Sequence, residues 1–454
     1  MTQLHPLATL RTALLSLFAL TAIAACGGGS GSAETSAAPQ PTTGTVGILF
    51  TDAPTDIFDA ILLDVVEATL IGGDEQQTFL FQGSEPIDLL DLTNFNEPIV
   101  FGEVEAGNYK KLRLTIANLE LVPKDGGPSI FPALPANGKI DLLQSNGFDI
   151  LPGRTILIEV DMDANKSIKI TGAGNSGRYN FRPVVKVNIM DGGLPNKLAR
   201  LEGSVQEILT DTAGGFVLCD IDSPSNCVTV GTDGNTGIFD ELGLDTAFGT
   251  LNVGDMAVVI GSYQTDPSIV LNAIVLEIGG NAEQVKGNVV SNPMNDQFLM
   301  VVDGNGDLLV ELQAGSKFYS PDGAITAGAI VVGVDVEIEG VKPPKADAAD
   351  PDMIRAALVF LESDPDEQLS GVVTEPLDAA MRTFVLTLAD TSSACVHVLD
   401  DADILLVDEA NSEVTMGEFT DLAAEQEVDV FGTSNLDTEC FDANEVIVVV
   451  AAVP

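Results

Sequence analysis

Tryptophan is missing from this 454-residue chain, tyrosine occurs only four times and histidine twice. Sugar-binding clefts stack rings on Trp and Tyr, so glycan processing finds little to build on here. His397 is the only histidine after residue 25, so one chain cannot supply a two- or three-histidine metal centre. A Ser-His-Asp or Cys-His triad would have to form around this residue, and no G-x-S-x-G elbow marks a nucleophile. His397 lies in the alternation Cys395-Val396-His397-Val398 and reads as a strand residue. Phosphate cradles of the G-x-x-x-x-G-K-[ST] kind are missing, and no C-x-x-C pair suggests a thiolate metal site. Basic residues are scarce as well: 20 Lys and Arg stand against 68 Asp and Glu, a net charge of −48. Such a field repels phosphate, so nucleic acid is excluded as a partner, while cations are attracted. No catalytic residue is assigned.

The acidity is uneven, with 20 acids and 11 bases in residues 44–190 but 47 and 8 in residues 191–454. Solubility is the plain account of this charge, and binding of divalent ions is the specific one. The one calcium-like string, Asp303-Gly304-Asn305-Gly306-Asp307, starts as a calcium loop does. It then has Leu308 where Gly is needed and Ala314 where a bidentate Glu belongs, so a hairpin turn is the better reading. Asp161 with Asp163, and Asp400-Asp401 with Asp403, read as solvated loops. No metal site or cofactor is assigned, and calcium stays a possible ligand of the acidic loops.

Arg11 precedes an uncharged apolar run from Ala13 to Ala25, too short for the roughly 20 residues of a membrane span, and Cys26 follows. Ile23-Ala24-Ala25-Cys26 resembles the lipobox of bacterial lipoproteins, which implies a signal peptide over 1–25 and lipid attachment at Cys26. Residues 26–43 are rich in Gly, Ser and Pro and form a flexible tether. Gly27 after the cysteine resembles the pattern of outer-membrane lipoproteins, so the expected location is the outer membrane, facing periplasm or surface. Four cysteines remain in a chain exported from a reducing compartment. Cys219 and Cys227 flank a turn-rich loop and are expected to close a hairpin, leaving Cys395 to Cys440; free buried thiols are the alternative.

Helix-period patterns are nearly absent. Leu112, Leu114 and Ile116 alternate with Lys111, Arg113 and Thr115, the period of a strand with one buried face. A first domain is placed at 44–193, ending near a Gly192-Leu194-Pro195 linker. Beyond it, Leu201-Glu202-Gly203-Ser204-Val205, Val285-Lys286-Gly287-Asn288-Val289 and Leu369-Ser370-Gly371-Val372-Val373 form an internal repeat with a constant spacing of 84 between glycines. Each copy carries a later strand ending in glycine, at Gly261, Gly340 and Gly432; the third has lost the earlier glycine seen at Gly254 and Gly333. About five short strands per copy fit OB-like barrels at 198–280, 281–363 and 364–454.

Leu49-Phe50-Thr51-Asp52-Ala53-Pro54, Val104-Glu105-Ala106-Gly107-Asn108-Tyr109 and Tyr179-Asn180-Phe181-Arg182-Pro183-Val184 resemble a widespread family of bacterial lipoprotein domains known only as a domain of unknown function. The repeats are similar to a second uncharacterised family of OB-like lipoprotein modules. The resemblances imply fold and location and bring no activity. The expectation is an all-β chain, a β-sandwich followed by three tandem OB-like β-barrels, strung outward from the membrane. Its expected role is non-catalytic binding or structure in the cell envelope, with the membrane as partner through the N-terminal lipid and a protein or glycan at the surface. A calcium-dependent surface adhesin is the alternative, and an envelope enzyme of unknown reaction the third.

Overall fold

The computed structural model describes residues 42–450 apart from 53–57, 125, 163–166, 172–177, 182–183, 192–196, 211–213, 222–225, 266–268, 303–305, 346, 348–350, 363–366, 390, 409–412, 436–437 and 439. Cys26, the signal and nearly all of the tether lie outside the described residues, as do Asp163, the linker around Leu194 and the start of the calcium-like string.

The protein is an all-β structure of strands joined by turns and single 3-10 turns. Its N-terminal part is a sandwich. One sheet holds β1 (Thr43–Thr51), β4 (Phe95–Glu105), β7 (Thr155–Met162) and β10 (Val185–Asp191) in the order β10-β7-β1-β4. The other holds β2 (Phe58–Gly72), β3 (Gln77–Asp88), β5 (Gly107–Pro123) and β6 (Lys139–Ile150) in the order β6-β5-β2-β3, and β8 (Ile168–Thr171) with β9 (Arg178–Phe181) is a separate hairpin. Leu112, Leu114 and Ile116 face inward from β5 against Val46, Ile48 and Ile158 of the opposite sheet, so the alternation read in the sequence is the inner face of a sandwich.

The three repeats are closed five-stranded barrels. The first contains β11 (Leu198–Ile208), β12 (Gly215–Asp220), β13 (Cys227–Gly231), the short β14 (Gly237–Phe239), β15 (Met256–Gln264) and β16 (Val270–Ile278), closing as β11-β12-β13-β16-β15. The second contains β17 (Ala282–Val289), β18 (Gln297–Val302), β19 (Gly306–Ser320), the short β20 (Gly323–Ala324), β21 (Asp335–Val341) and β22 (Met353–Leu361), closing as β17-β18-β19-β22-β21. The third contains β23 (Glu367–Asp378), β24 (Thr383–Leu388), β25 (Ser393–Asp408), β26 (Glu413–Met416), β27 (Glu427–Asn435) and β28 (Cys440–Val450), closing as β23-β24-β25-β28-β27. In each barrel the third and fifth strands run parallel and the other pairings are antiparallel, which is the OB-like arrangement.

Sterics explain the repeated glycines. A Cβ on Gly203, Gly287 or Gly371 would meet the carbonyl oxygen of Cys219, Val301 or Thr387 at 2.2, 2.3 and 2.3 Å. Gly261, Gly340 and Gly432 each sit where the register between fourth and fifth strand shifts, and a Cβ there would lie 2.0–2.2 Å from a carbonyl of the fifth strand. They are the bulge positions that bend each barrel shut.

The barrels are clasped around the sandwich and do not extend from it as a string. Parallel pairing of β11 with β4 (Leu198 with Phe95, Ala199 with Asn96) joins barrel one to the first sheet. Parallel pairing of β26 with β6 (Val414 with Leu142) joins barrel three to the second. The reason lies on the outer face of each barrel's fourth strand, where Val258 and Ile260, Glu337 and Glu339, and Asp429 and Phe431 alternate with the inward core residues and are all buried. A barrel that carries such side chains outward needs a neighbour to cover them.

Replacing Gly371 by Ala forces two strands apart and should cost about 1–3 kcal/mol. Glu425 has φ of 71° at the position that Gly254 and Gly333 occupy with φ of 93° and 95°, so Glu425→Gly should add roughly 0.5–1 kcal/mol. Urea unfolding of both variants checks the pair of opposite signs.

Candidate functional site

A group of buried ionisable side chains lies where the sandwich, barrel one and barrel two meet. Its floor is apolar: Phe95 from β4, Leu198, Phe239, Ile260 and Val275 from barrel one, and Ala357, Leu358 and Phe360 from barrel two form one buried cluster. The Phe95 and Phe360 rings pack edge to face at 5.8 Å, an arrangement worth about 1 kcal/mol beyond the area it buries.

Polar side chains ring this floor. Arg200 of β11 donates from Nε to Glu339 Oε2 at 2.9 Å and from Nη2 to Glu339 Oε1 at 3.2 Å, a two-pronged bond between barrels one and two. Asn94 of the sandwich donates to Glu337 Oε2 at 2.5 Å and to Glu362 Oε1 at 3.2 Å, and Gln284 donates to the other Glu337 oxygen at 2.9 Å. Lys286 of β17 donates to the Leu90 carbonyl at 2.8 Å. Between the two barrels, Asp245 accepts the backbone N–H of Ala314 and of Gly315, and Arg355 donates to the Leu242 carbonyl at 2.8 Å.

Burial sets the protonation of this ring. Loss of solvent raises Glu337 to about 7 against the pull of Lys286 and Asn94, and raises Glu97 to about 7 against that of Arg200. Burial, reinforced by the neighbouring Glu339 carboxyl, lifts Glu277 well above the carboxylate range. The guanidinium of Arg200 is held charged by Glu339 despite its burial. Chemically the arrangement takes up protons and locks three domains together; its described residues include neither histidine nor cysteine. A cleft of about 340 Å3 opens at its edge, with Asp59, Leu90 and Lys124 on the sandwich wall and Lys286, Asn288 and Glu362 on the barrel wall.

The residues singled out in the sequence lie elsewhere. Cys219 bonds Cys227 and Cys395 bonds Cys440, the two expected disulfides. His397, half-exposed on β25, places Nδ1 2.9 Å from Asp442 Oδ1. The amide of Asn435 and then His397 hold the Asp442 carboxyl below its ordinary range. Asp307 is exposed at the start of β19, and Asp161 is half-buried on β7. Asp400 lies 3.8 Å from Arg382, while Asp403 pairs with Lys186 of the sandwich, so this acid is a joint between domains and not part of a solvated loop. Among the described residues no group of three His, Cys, Asp or Glu is placed to hold a metal ion.

Residues 43–183, the N-terminal sandwich, match the model of the domain of unknown function DUF4382. No curated protein matches the chain. Among solved structures, the chain is similar to the Drosophila Unr CSD456 structure, at 11% identity over 58% of this chain and 99% of that one, with a TM-score of 0.17.

Arg200→Met leaves Glu339 buried without its cation and should cost about 3–5 kcal/mol, whereas Arg200→Met with Glu339→Leu should recover most of that loss; a double-mutant cycle by urea unfolding measures it. Glu337 keeps its proton to about pH 7 when folded but releases it near 4.5 when unfolded. Its contribution is therefore full below pH 4.5 and lost as pH rises through 7, by up to about 3 kcal/mol. Unfolding free energy should fall between pH 5 and pH 8, and Glu337→Gln should flatten that slope.

Proposed function

We propose that this chain is a lipid-anchored protein of the outer membrane whose clasped β body serves as a non-catalytic binding and structural module of the cell envelope. The observation that carries the reading is where the buried ionisable side chains go. Arg200, Glu337, Glu339 and Asn94, the groups that an enzyme would turn toward a substrate, bond to one another across domain boundaries. Arg355 and Lys286 cap backbone carbonyls of neighbouring domains in the same way. Such contacts fix the relative positions of the sandwich and barrels one and two, and Lys186 with Asp403 ties in barrel three, so that the outer faces are presented as one rigid surface. Rigid presentation lowers the entropic cost of holding a macromolecule.

The anchor rests on the lipobox-like Ile23-Ala24-Ala25-Cys26 and the Gly/Ser-rich stretch after it. The sandwich begins at Thr43, directly after that stretch, which suits a body tethered a short distance from a bilayer. The likeness of the barrels to uncharacterised lipoprotein modules points the same way.

Growth of a producing strain with labelled palmitate tests the anchor. The native chain should take up label and partition into detergent with the outer-membrane fraction, and Cys26→Ala should do neither. Label retained by Cys26→Ala, or a native chain that stays in the aqueous phase, would sink the proposal.

A further inference from the structure

The fourth strand of every barrel is covered on its outer face, but the faces made by the first three strands differ. In register, the glycines at 203, 287 and 371 pair with Asp220, Val302 and Leu388, so the three barrels can be compared position by position. At the outward positions of strands one and two, barrel one has Gln206, Val217 and Cys219, and barrel three has Thr374, Val385 and Thr387. Barrel two has Val290, Leu299 and Val301, aliphatic at all three, whereas at the intervening outward position, Ser204, Asn288 and Val372, the exposed aliphatic residue belongs to barrel three. Cys219 is tied in a disulfide and buried, whereas Val290, Leu299 and Val301 are 43%, 38% and 36% exposed. Val332, in the loop whose Gly333 bonds back to Val289, extends the patch and is 56% exposed.

Acidic side chains border these aliphatic ones. Across the face, Asp307 of β19 stands opposite Val301, Val301 opposite Asn288, and Asn288 opposite Asp335 of β21, an acid–apolar–polar–acid row with both acids exposed. Asn288 and Asp335 also line the cleft toward the sandwich, where Asp59 and Glu362 add further carboxyl groups. The patch is thus continuous with a groove of mixed charge, in which Lys124 and Lys286 stand among these carboxyl groups, so the purely acidic border is the one at Asp307 and Asp335. A second copy of this chain would bring its own net charge of −48 against that border, which opposes self-association through it.

We propose that the outer face of barrel two is the docking site for a cationic, amphipathic segment of a partner protein, lying across β17, β18 and β19. Its apolar side chains would cover Val290, Leu299 and Val301, and its basic ones would meet Asp307 and Asp335. Exposed aliphatic patches ringed by polar groups are the ordinary form of such sites, and opposite charge at the edge fixes register and speeds encounter. The inference rests on the binding reading above and supplies the class of partner; it can fail while lipid anchoring at Cys26 holds.

The test uses the chain from residue 26 onward with Cys26→Ser, and a fluorescent ten-residue peptide alternating Leu and Lys, compared with one alternating Ser and Lys. At physiological salt the Leu–Lys peptide should bind about tenfold more tightly than the Ser–Lys peptide. Leu299→Ser with Val301→Ser should remove that advantage, while Val253→Ser, an exposed valine of barrel one, should keep it. Equal binding by native chain and patch variant would show that bulk negative charge holds the peptide and would overturn the proposal, as would no preference for the Leu–Lys peptide. Sedimentation decides the remaining occupant: concentration-dependent association of the native chain that the patch variant lacks would assign the face to a second copy, against the proposal. A thermal melt of each variant matching the native one confirms that the fold is intact.

Discussion

Residues 191–454 carry 47 acids and only eight bases, and self-repulsion among these acids is the constraint that the assembly has to meet. Four of the eight bases cross a domain boundary. Lys197 donates to Thr51 Oγ1 and the Asp52 carbonyl, Arg200 to Glu339, Lys286 to the Leu90 carbonyl and Arg355 to the Leu242 carbonyl. Lys186 of the sandwich reaches Asp403 in barrel three in the same sense. Cations placed at joints offset repulsion where domains come closest, which is where Coulomb energy is largest and least screened.

Electrostatics alone would not hold such a body, because a buried ion pair gains little over an apolar contact of the same shape. The joints are apolar first: Phe95 and Phe360 meet in one cluster, and Val184 meets Val407, Val414, Phe431 and Ile447 in another. Backbone pairing adds direction, since β11 continues the sheet of β4 and β26 that of β6. One edge of each sandwich sheet, at β4 and at β6, is thereby partly covered, which removes two places where a foreign strand could add. The ionic pairs then fix which barrel sits where, because Glu337 and Glu339 are satisfied only beside Asn94, Gln284 and Arg200.

The barrels were legible in the sequence because the glycines answer to local sterics: a carbonyl of the paired strand lies where a Cβ would be, so the residue recurs with the strand. Both disulfides were legible for a similar reason, each joining neighbouring strands or loops of one barrel. The junction was not. Glu337 and Glu339 are two of 68 acids, and a strand alternating Val-Glu-Ile-Glu reads as half-solvated. The usable signal lay in the other copies. Ala257-Val258-Val259-Ile260 is apolar at both parities and Phe431 stands where Glu339 does, so the outer face of this strand had to be covered in barrels one and three. Equivalence between repeats would then have carried the same expectation to Glu337 and Glu339.

That equivalence also separates structure from function within the repeat. A position buried in all three copies, such as Val258, Glu337 and Asp429, answers to assembly, whatever residue fills it. A position where one copy departs while staying exposed answers to something outside the barrel. His397 does not meet that standard, because Asp442 and through it Asn435 hold it within its own barrel. Val290, Leu299 and Val301 do meet it. Burial inside their barrel does not require these side chains, and exposed aliphatic groups on a chain this acidic interrupt the charge that keeps it soluble. They lie beside Lys286, which ties the same strand to the sandwich, so an occupant of this face would sit next to the joint that holds barrel two in place.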